Sequence, residues 1–260
     1  MSRPIRIGAA LPPQHAEYDV IRRAVARAEE MGVDAVFNWD HFFPLSGDPD
    51  GSHFECWTML GGWAEVTERV EFGPLVACNS YRNPDLLADM ARTVDHASDG
   101  RLILGIGAGW FQRDYTEYGY DFGTAGSRLA DLKDALPRIK SRLRKLNPPP
   151  TRDIPIMIGG GGEKKTLRYT AEHADIWHGF GDTEVIRHKN GVLDEHCADV
   201  GRDPAEIERS VGAEPASPEL GDALVEAGST FITLGFDGAD GFDLAPMAEW
   251  LAWRDERNAS

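Results

Sequence analysis

The residue pair in this sequence best suited to moving protons is an aspartate followed by a histidine. Asp40 and His41 come directly after a short apolar run, in the segment FNWDHF (37–42). Histidine titrates near neutral pH, and a neighbouring carboxylate fixes its tautomer or raises its pKa. Because adjacent strand residues point to opposite faces, a direct bond between the two requires a bent loop. Two interpretations stay open here, a proton donor and a structural histidine bonded to the backbone.

Four consecutive glycines (159–162) indicate a site for a negatively charged group. They stand between an apolar run and a helical pattern, and we expect Lys164 and Lys165 in the first turn of that helix. Small residues let the backbone approach a ligand, and a helix N-terminus offers free N–H groups with a partial positive charge. The pattern therefore favours an anion or phosphate cradle over a flexible loop with two solvated lysines.

A second glycine-rich segment, Gly105-x-Gly107-x-Gly109, leads from an apolar run into aromatic residues. A dinucleotide-binding fingerprint requires a helix at that point, so we favour close backbone approach to a flat ring, with a plain tight turn as the alternative.

Metal and thiol chemistry have weaker support in the sequence. His173 and His178 lie five residues apart without a third residue at ligand spacing, so no metal site is expected. Cys78 stands at the end of another apolar run, and we interpret it as a buried, inert thiol in preference to a reactive one.

Eight short apolar runs alternate with helical patterns, and this order must position the residues above. The predicted strands cover residues 5–11, 33–39, 70–77, 101–107, 154–158, 174–177, 207–213 and 230–234. The predicted helices cover 20–31, 54–68, 84 to a stop at Gly100, 127–146, a segment after Gly162, 184–200, 217–227 and 244–254. Residues 110–126 are predicted to form an aromatic, glycine-rich loop.

These eight strand–helix units predict the α/β class, and within it a (β/α)8 or TIM barrel. A chain of 260 residues has the typical length of that fold, and alternating strands and helices imply a parallel sheet covered by helices. We expect residues 1–260 to form a single barrel domain, with an open doubly wound sheet as the main alternative. In such barrels the site forms at the C-terminal ends of the strands, where the residues discussed above stand.

Composition excludes several partners. The chain has 43 Asp and Glu against 27 Lys and Arg, a net charge of -16, so nucleic acid and anionic membranes are poor partners. No apolar run approaches the roughly 18 residues of a membrane helix, and the N-terminal segment lacks the apolar stretch of a signal peptide. Three widely spaced cysteines predict no disulfide framework and a reducing cytoplasm.

Three segments resemble the bacterial luciferase-like superfamily of (β/α)8 flavin and deazaflavin oxidoreductases, and within it the coenzyme F420-dependent group. They are FNWDHF (37–42), NSYRNPDLLADMARTVDHASDGRLILGIGAGW (79–110) and PIMIGGGGEKKTLRYTAEHADIW (155–177), and with their flanks they cover most of the chain. The resemblance implies F420 as the cofactor, with FMN as the alternative, and a small-molecule substrate. It also implies a homodimer, which is common in the family.

The resemblance further implies roles for single residues. Asp40 would contact the deazaflavin, and His41 would face the substrate as a proton donor or carbonyl-polarising group. A strand bulge with a non-prolyl cis peptide would lie near residues 75–77. The implied cofactor-binding residues are Asp40, Val76, Ala77, Cys78, Asn79, Gly107, Ala108, Gly109, Gly160, Gly161, Gly162, Lys164 and Lys165. The expected substrate pocket consists of Trp39, Phe42, Phe43, Trp110, Trp177 and His178.

One residue departs from the pattern of the sugar-phosphate dehydrogenases in this group. They carry a glutamate where this chain has Trp110, which argues against a sugar phosphate substrate and their two-residue acid–base mechanism. Asp114 and Glu117 are the neighbouring carboxylates that we consider as replacements.

Four functions are compatible with these observations. The favoured one is hydride transfer between F420 and a small, largely apolar carbonyl, alcohol or activated alkene. The second is an FMN-dependent monooxygenase that uses a separate flavin reductase. The third is a non-catalytic flavin-binding protein, and the fourth is a phosphosugar isomerase or aldolase. The last requires a Lys or Glu at a strand end, and we identify no convincing candidate for it.

Overall fold

The computed structural model of the protein describes residues 3–214 and 218–259, in which parallel strands alternate with α-helices. The strands are β1 (Arg6–Ala10), β2 (Ala35–Asn38), β3 (Glu71–Pro74), β4 (Ala77–Cys78), β5 (Leu104–Gly107), β6 (Ile156–Gly159), β7 (Ile176–Gly179), β8 (Glu208–Ala213) and β9 (Phe231–Gly235). The helices are α1 (Tyr18–Met31), α2 (Cys56–Val66), α3 (Pro84–Ala97), α4 (Gln112–Tyr118), α5 (Ala125–Leu143), α6 (Thr166–His173), α7 (Thr183–Val200), α8 (Glu219–Glu226) and α9 (Met247–Asn258).

The strands form one parallel sheet in the order β3-β2-β1-β9-β8-β7-β6-β5-β4. Because β3 and β4 are two parts of one chain segment, residues 71–78, the sheet returns to the segment where it began. The predicted TIM barrel is therefore confirmed, with eight strand positions of which the third is interrupted.

The interruption is a bulge. Phe72 bridges Leu102, whereas Ala77 pairs with Ile106, so the β3–β4 segment holds one residue more than the opposing strand between the two pairs. The peptide bond between Leu75 and Val76, inside this bulge, is cis. The bulge and its cis peptide lie where the family resemblance placed them, and the predicted single strand over 70–77 is divided accordingly.

Alternating side chains divide the core into two layers. Inside the barrel, residues on or next to five of the strands form a cluster, consisting of Ala35, Phe37, Ile103, Met157, Ile176 and Phe231. The residues on the opposite strand faces pack against the apolar stripes of the helices. In α1 this stripe is Ile21, Ala24, Val25 and Ala28, and the helix ends at Gly32, whose φ of 94° is left-handed.

Charged residues close the N-terminal end of the barrel. Arg6 contacts the carboxylates of both Glu71 and Glu208, and its guanidinium lies 4.3 Å from the ring centre of Phe231. Burial raises the pKa of Glu208, and the charge of Arg6 opposes that rise. With this end filled, the opposite end, where the strands terminate, is the one that can receive a ligand.

Two helices differ from the sequence-based prediction. Helix α4 occupies part of the predicted 110–126 loop, where Phe111, Tyr115 and Tyr118 have helical spacing and the buried Tyr115 packs inward. Helix α6 begins at Thr166, so Lys164 and Lys165 lie in the preceding turn and not in its first turn. The helix predicted over 217–227 begins at a residue outside the described part of the chain. Helix α8 covers most of the rest of this range.

Two further observations concern membrane-spanning segments and the state of the cysteines. No helix in the described parts of the chain combines the length and apolar character that crossing a bilayer requires. Cys56, Cys78 and Cys197 are buried free thiols.

Candidate active site

A cavity of about 670 Å³ opens at the C-terminal ends of the strands. Its lining comes from segments that follow or end β1, β2, β4, β5, β6 and β7, which are far apart in sequence. Twelve of the residues predicted for the site are among those that line it: Trp39, Asp40, His41, Val76, Ala77, Cys78, Gly107, Ala108, Gly109, Trp110, Gly160 and His178.

Other predicted pocket residues lie elsewhere. Trp177 is buried between the strands and the helices, because its neighbour His178 takes the inward position on β7. The Trp177 indole donates to the carbonyl oxygen of Gly160 at 2.9 Å. Phe42 stacks on Tyr118, with ring centres 4.0 Å apart, and so belongs to an aromatic cluster beside the cavity. Neither Trp177 nor Phe42 is thus placed to contact a substrate in the cavity.

Four more of the predicted cofactor-binding residues are exposed near the cavity without lining it. They are Gly161, Gly162, Lys164 and Lys165. Asn79 lines a separate groove, together with residues of α5. Phe43 packs beneath the guanidinium of Arg113, 4.0 Å from its ring centre.

His41 is paired with a carboxylate, but the carboxylate belongs to Asp114 and not to Asp40. Nδ1 of His41 lies 2.7 Å from Oδ2 of Asp114, a fully buried residue in the first turn of α4. Asp114 also accepts from the Tyr81 hydroxyl at 2.9 Å and from the backbone N–H of Phe42 at 3.1 Å. A carboxylate accepts only, so His41 donates from Nδ1 and leaves Nε2 available on the cavity side of the ring.

Asp40 has a different partner, which the sequence analysis did not find. Arg82 donates to both carboxylate oxygens of Asp40, at 2.5 and 3.0 Å, and the backbone N–H of Cys78 donates at 2.9 Å. Burial raises the pKa of Asp40, and the Arg82 guanidinium offsets part of the rise. This ion pair fixes the start of the segment after β2 to the end of β4, so Asp40 and His41 point to different neighbours.

One wall of the cavity is apolar and depends on two glycines. Val76, from the bulge, packs over Gly107 and Gly159. A Cβ on Gly107 would lie 2.8 Å from Cγ2 of Val76, and a Cβ on Gly159 would lie 3.0 Å from Cγ1. The glycines therefore let the bulge lie directly against β5 and β6, so the space above Gly107 is taken by Val76 of the protein itself. The predicted approach of this backbone to a flat ring stays a prediction.

Cys78 is placed as an inert thiol. Its sulfur lies 3.2 Å from the Tyr115 hydroxyl, and burial raises the pKa of the thiol. A thiol in this environment stays protonated near neutral pH, which agrees with the preferred interpretation of this residue.

The glycine-rich turn reaches the cavity through Gly160 and Thr166, the first residue of α6. Next to these residues, the carboxylate of Glu163 accepts from Lys189 of α7 at 2.5 Å and contacts His188. Lys164 and Lys165 are exposed on the same turn. Positive charge thus collects on the outer side of this turn, next to one edge of the cavity.

A sequence model of the luciferase-like monooxygenases matches residues 1–236 of this barrel. The chain belongs to the luciferase-like monooxygenase family. The family resemblance inferred from the three sequence segments is thereby confirmed. Among similar proteins is the F420-dependent glucose-6-phosphate dehydrogenase of Amycolatopsis mediterranei, strain U-32. It is 29% identical over 168 residues, which span 57% of this luciferase-like chain and 49% of the relative.

Solved structures of other proteins share the fold. An F420-dependent secondary alcohol dehydrogenase in complex with an F420–acetone adduct superposes with a TM-score of 0.83 and 16% identity, over 95% of this chain and 98% of that one. The FMN complex of the oxygenating constituent of 3,6-diketocamphane monooxygenase from Pseudomonas putida gives a TM-score of 0.75 and 14% identity, over 96% and 97% of the two chains. At these identities the similarity shows the fold alone.

Proposed function

We propose that this luciferase-like protein is an F420-dependent oxidoreductase that transfers a hydride between the deazaflavin and a small, largely apolar carbonyl, alcohol or activated alkene. The observation that carries the proposal is the His41–Asp114 pair, which presents a ring nitrogen at an apolar cavity. F420-dependent enzymes among the similar proteins support the choice of cofactor.

The residues of the cavity fit a flat ring with an anionic tail. Its volume, about 670 Å³, lies within the range of small-molecule sites. Val76, Ala77, Ala108 and Gly109 would hold the ring on the apolar wall, where a Cβ on Gly107 would clash with Val76. The phosphate-bearing tail would extend to Gly160 and the adjacent turn, where Lys164, Lys165 and the N-terminus of α6 supply positive charge.

A bound deazaflavin supplies or accepts a hydride and does not readily activate oxygen. The protein must then manage the accompanying proton. When a substrate carbon is reduced, His41 donates a proton from Nε2, and in the reverse direction Nε2 accepts one. Asp114 holds Nδ1–H throughout and stabilises the positive charge of the protonated imidazole.

The charge of the cavity favours a substrate without a phosphate or carboxylate group. Among the described lining residues the only Lys or Arg is Arg128. Its guanidinium already donates to the carbonyl oxygens of Gly109 at 3.0 Å and Phe122 at 2.7 Å. Trp39, Trp110 and Phe180 supply apolar surface around the remaining space. These observations support an uncharged substrate.

Cofactor binding tests the proposal directly. Adding the protein to oxidised F420 should quench or shift the fluorescence of F420 at micromolar concentration. In a parallel titration, the Kd for FMN should be at least about tenfold higher than the Kd for F420. Tight FMN binding without an F420 response would overturn the proposal and favour the FMN-dependent monooxygenase.

The proton role of His41 has its own test. His41→Ala should lower kcat about 100-fold and leave the Kd for F420 within about threefold, because the histidine acts on the substrate. His96→Ala, which removes an exposed histidine of α3, is the matched control and should change neither value. Unchanged turnover in His41→Ala would rule out the assigned role.

A further inference from the structure

The turn between β6 and α6 presents a hydroxyl without a partner among the described residues. Thr166, the first residue of α6, lines the cavity and is 7% exposed. Neither its hydroxyl nor its backbone N–H forms a hydrogen bond within the described parts of the chain, and the hydroxyl oxygen is not sealed off from solvent. Buried polar groups are normally paired, so these two donors at a helix N-terminus are available to an anionic ligand.

Thr166 and the glycine-rich turn form one compact unit. A Cβ on Gly162 would lie 2.8 Å from the hydroxyl oxygen of Thr166, so this glycine lets the turn pack against the start of α6. The backbone N–H of Leu167 donates to the carbonyl oxygen of Gly162 at 3.0 Å and closes the turn around Glu163. The Cα atoms of Glu163 and Thr166 are therefore closer than the roughly 11 Å of an extended chain, which is about one Debye length. An anion at Thr166 is thus within range of a charge on Glu163.

Three side chains of α7 fix Glu163 in this turn. Its carboxylate accepts from Nζ of Lys189, and the same carboxylate oxygen lies 3.1 Å from Nε2 of His188. Nε2 of His196 donates to the backbone carbonyl oxygen of Glu163 at 2.7 Å. The hydrogen bond from Lys189 lowers the pKa of Glu163, so the carboxylate is ionised at neutral pH. The turn thus carries a negative charge at a fixed position.

Lys189 is the cation that packs on the glycines themselves. Its Cε lies 3.7 Å from the position of a Cβ on Gly161, and its side chain is only 20% exposed. A lysine placed against the backbone of an anion site can neutralise a bound phosphate. Here Glu163 already compensates the charge of Lys189. Of the described residues of the turn, Lys164 and Lys165 are the cations left without an ion pair, and both are exposed to solvent, which screens their charge.

Phosphate esters differ in the charge that they bring to such a site. A phosphomonoester, as in FMN, carries a charge of about −1.5 to −2 at neutral pH, because its second pKa is about 6. A phosphodiester, as in F420, carries a single negative charge. The neutral donors of Thr166 suit one charge, whereas a dianion costs more to desolvate and needs a cation in compensation. The pairing of Glu163 with Lys189 withholds that cation.

Resting on the proposed function, we propose that Glu163 makes the turn selective for singly charged phosphodiesters over phosphomonoesters. Glu163 neutralises Lys189 and repels the second negative charge of a monoester. The turn thereby contributes to the choice between a deazaflavin that carries a diester and a flavin that carries a monoester. Glu163 determines specificity in this assignment, whereas Thr166 holds the phosphate itself.

Three flavins that differ only in their phosphate test the selectivity. Riboflavin has no phosphate, FMN has a monoester, and the monomethyl ester of FMN has a diester on the same ring. Their Kd values at about pH 7.5, where the monoester is doubly charged, follow from the quenching of flavin fluorescence by added protein. The methyl ester should bind the parent protein at least about threefold more tightly than FMN. Tighter binding of FMN than of the ester, or equal Kd values for all three flavins, would overturn the inference.

Charge variants of the ion pair assign the effect to Glu163. Interaction energy is proportional to charge, so Glu163→Gln, which frees Lys189, should strengthen binding of the ester about threefold and of FMN about tenfold. Lys189→Gln leaves Glu163 unpaired and should weaken the two in the same proportions. The double variant restores a neutral pair and should bind both compounds within about threefold of the parent protein. Equal changes for FMN and the ester in Glu163→Gln would contradict the inference.

Two further variants separate charge from shape. Glu163→Asp keeps the charge and should retain the preference for the ester. Glu172→Gln removes a carboxylate that pairs with Arg168 near the other end of α6, and it should change no Kd by more than about twofold. The Kd of riboflavin should stay within about twofold in every variant, because riboflavin has no phosphate. A riboflavin response as large as that of FMN in Glu163→Gln would mean that Glu163 only shapes the ring site, and would overturn the inference.

These titrations need neither F420 nor a substrate, so their failure is distinguishable from that of the proposed function. F420 binding and turnover, together with equal responses of FMN and the ester in Glu163→Gln, would leave the proposed function standing and reject the role of Glu163. Selectivity for the ester without any F420 response would reject F420 as the cofactor and retain the role of Glu163.

Discussion

Asp114 lies 2.7 Å from Nδ1 of His41, although 73 residues separate them in the chain. The contact joins the segment after β2 to helix α4, and the same carboxylate also binds the hydroxyl of Tyr81. Three donors from two separate segments thus converge on one fully buried carboxylate. The orientation of His41 consequently depends on α4 being docked, which makes this short helix part of the catalytic apparatus that we propose.

Replacing the carboxylate should impair catalysis more than binding. Asp114→Asn keeps the shape but removes the negative charge that stabilises protonated His41, so we expect kcat to fall about 100-fold. The Kd for F420 should stay within about threefold. Tyr81→Phe removes one other donor to Asp114 and should lower kcat by less than about fivefold. Stopped-flow reduction assays with both variants check this, and full activity in Asp114→Asn would contradict it.

The Asp40–Arg82 ion pair should be a large contributor to stability. Arg82→Met leaves Asp40 buried without its bidentate partner, and we expect a loss of about 3 kcal/mol in the free energy of unfolding. Asp40→Asn should cost less, because Arg82 retains Glu55 at 2.7 Å. Urea unfolding of both single variants and of the double variant measures the coupling. Strictly additive losses would show that the pair is not energetically linked.

Gly109 should not tolerate a side chain. Its φ is 82°, and a Cβ would lie 2.0 Å from the hydroxyl oxygen of Tyr115 and 2.5 Å from the sulfur of Cys78. Gly109→Ala should therefore destabilise the protein by about 2 kcal/mol or more. The control is Gly126→Ala near the start of α5, where helix propensity should stabilise by about 0.5 kcal/mol. Thermal unfolding distinguishes the two, and equal midpoints would refute the steric argument.

The two exposed lysines should act through charge. Lys164→Ala with Lys165→Ala should weaken F420 binding about tenfold at low salt and reduce the dependence of Kd on ionic strength, because two cations near the anionic tail are lost. The matched pair Lys133→Ala and Lys145→Ala removes exposed lysines elsewhere and should leave both quantities unchanged. If the two double variants behave alike, the turn is not an anion site.

The buried histidine should make stability depend on pH. The pKa of His178 is about 3 in the folded protein and about 6.5 when unfolded, so the unfolded state binds more protons between these values and stability falls as pH falls. Between about pH 7.5 and about pH 5, His178 should account for a loss of about 2 kcal/mol.

Urea unfolding of His178→Gln at the same two pH values should show a smaller loss than the parent protein. Part of the dependence should remain, because burial lowers the pKa of His53 to about 4 and this group acts with the same sign. An unchanged pH dependence in His178→Gln would mean that folding does not lower the pKa of His178.

The alternation of apolar runs and helical patterns was sufficient to predict the barrel. Strand and helix ends agree within a few residues, because local periodicity and end signals such as Asn83 before Pro84 reflect local forces. Helix α4 escaped detection because it is only seven residues long, so the helical spacing of Phe111, Tyr115 and Tyr118 covers two turns in a segment rich in aromatic residues and glycine. The packing of Tyr115 stabilises this short helix in the folded protein.

Site residues at strand ends were predictable, but their partners were not. His41 and the glycines stand next to apolar runs, whereas Asp114 and Arg82 reach them only through tertiary packing. For Trp177 and His178 the difficulty was orientation. Both stand at a strand end, and only the register of β7 decides which of two neighbours faces the cavity.

The bulge between β3 and β4 changes which residues of its strand face inward. Leu75 packs against the inner cluster, and the next residue, Val76, packs against inward-facing glycines. Two sequence neighbours thus share one face of the strand. Each later residue of the strand therefore points to the opposite face from the one that simple alternation would give it. A single-residue deletion there would restore simple alternation and rotate Cys78 outward, away from Asp40. The number of residues in the bulge therefore decides which side chains of this strand face the cavity, as much as the residue types do.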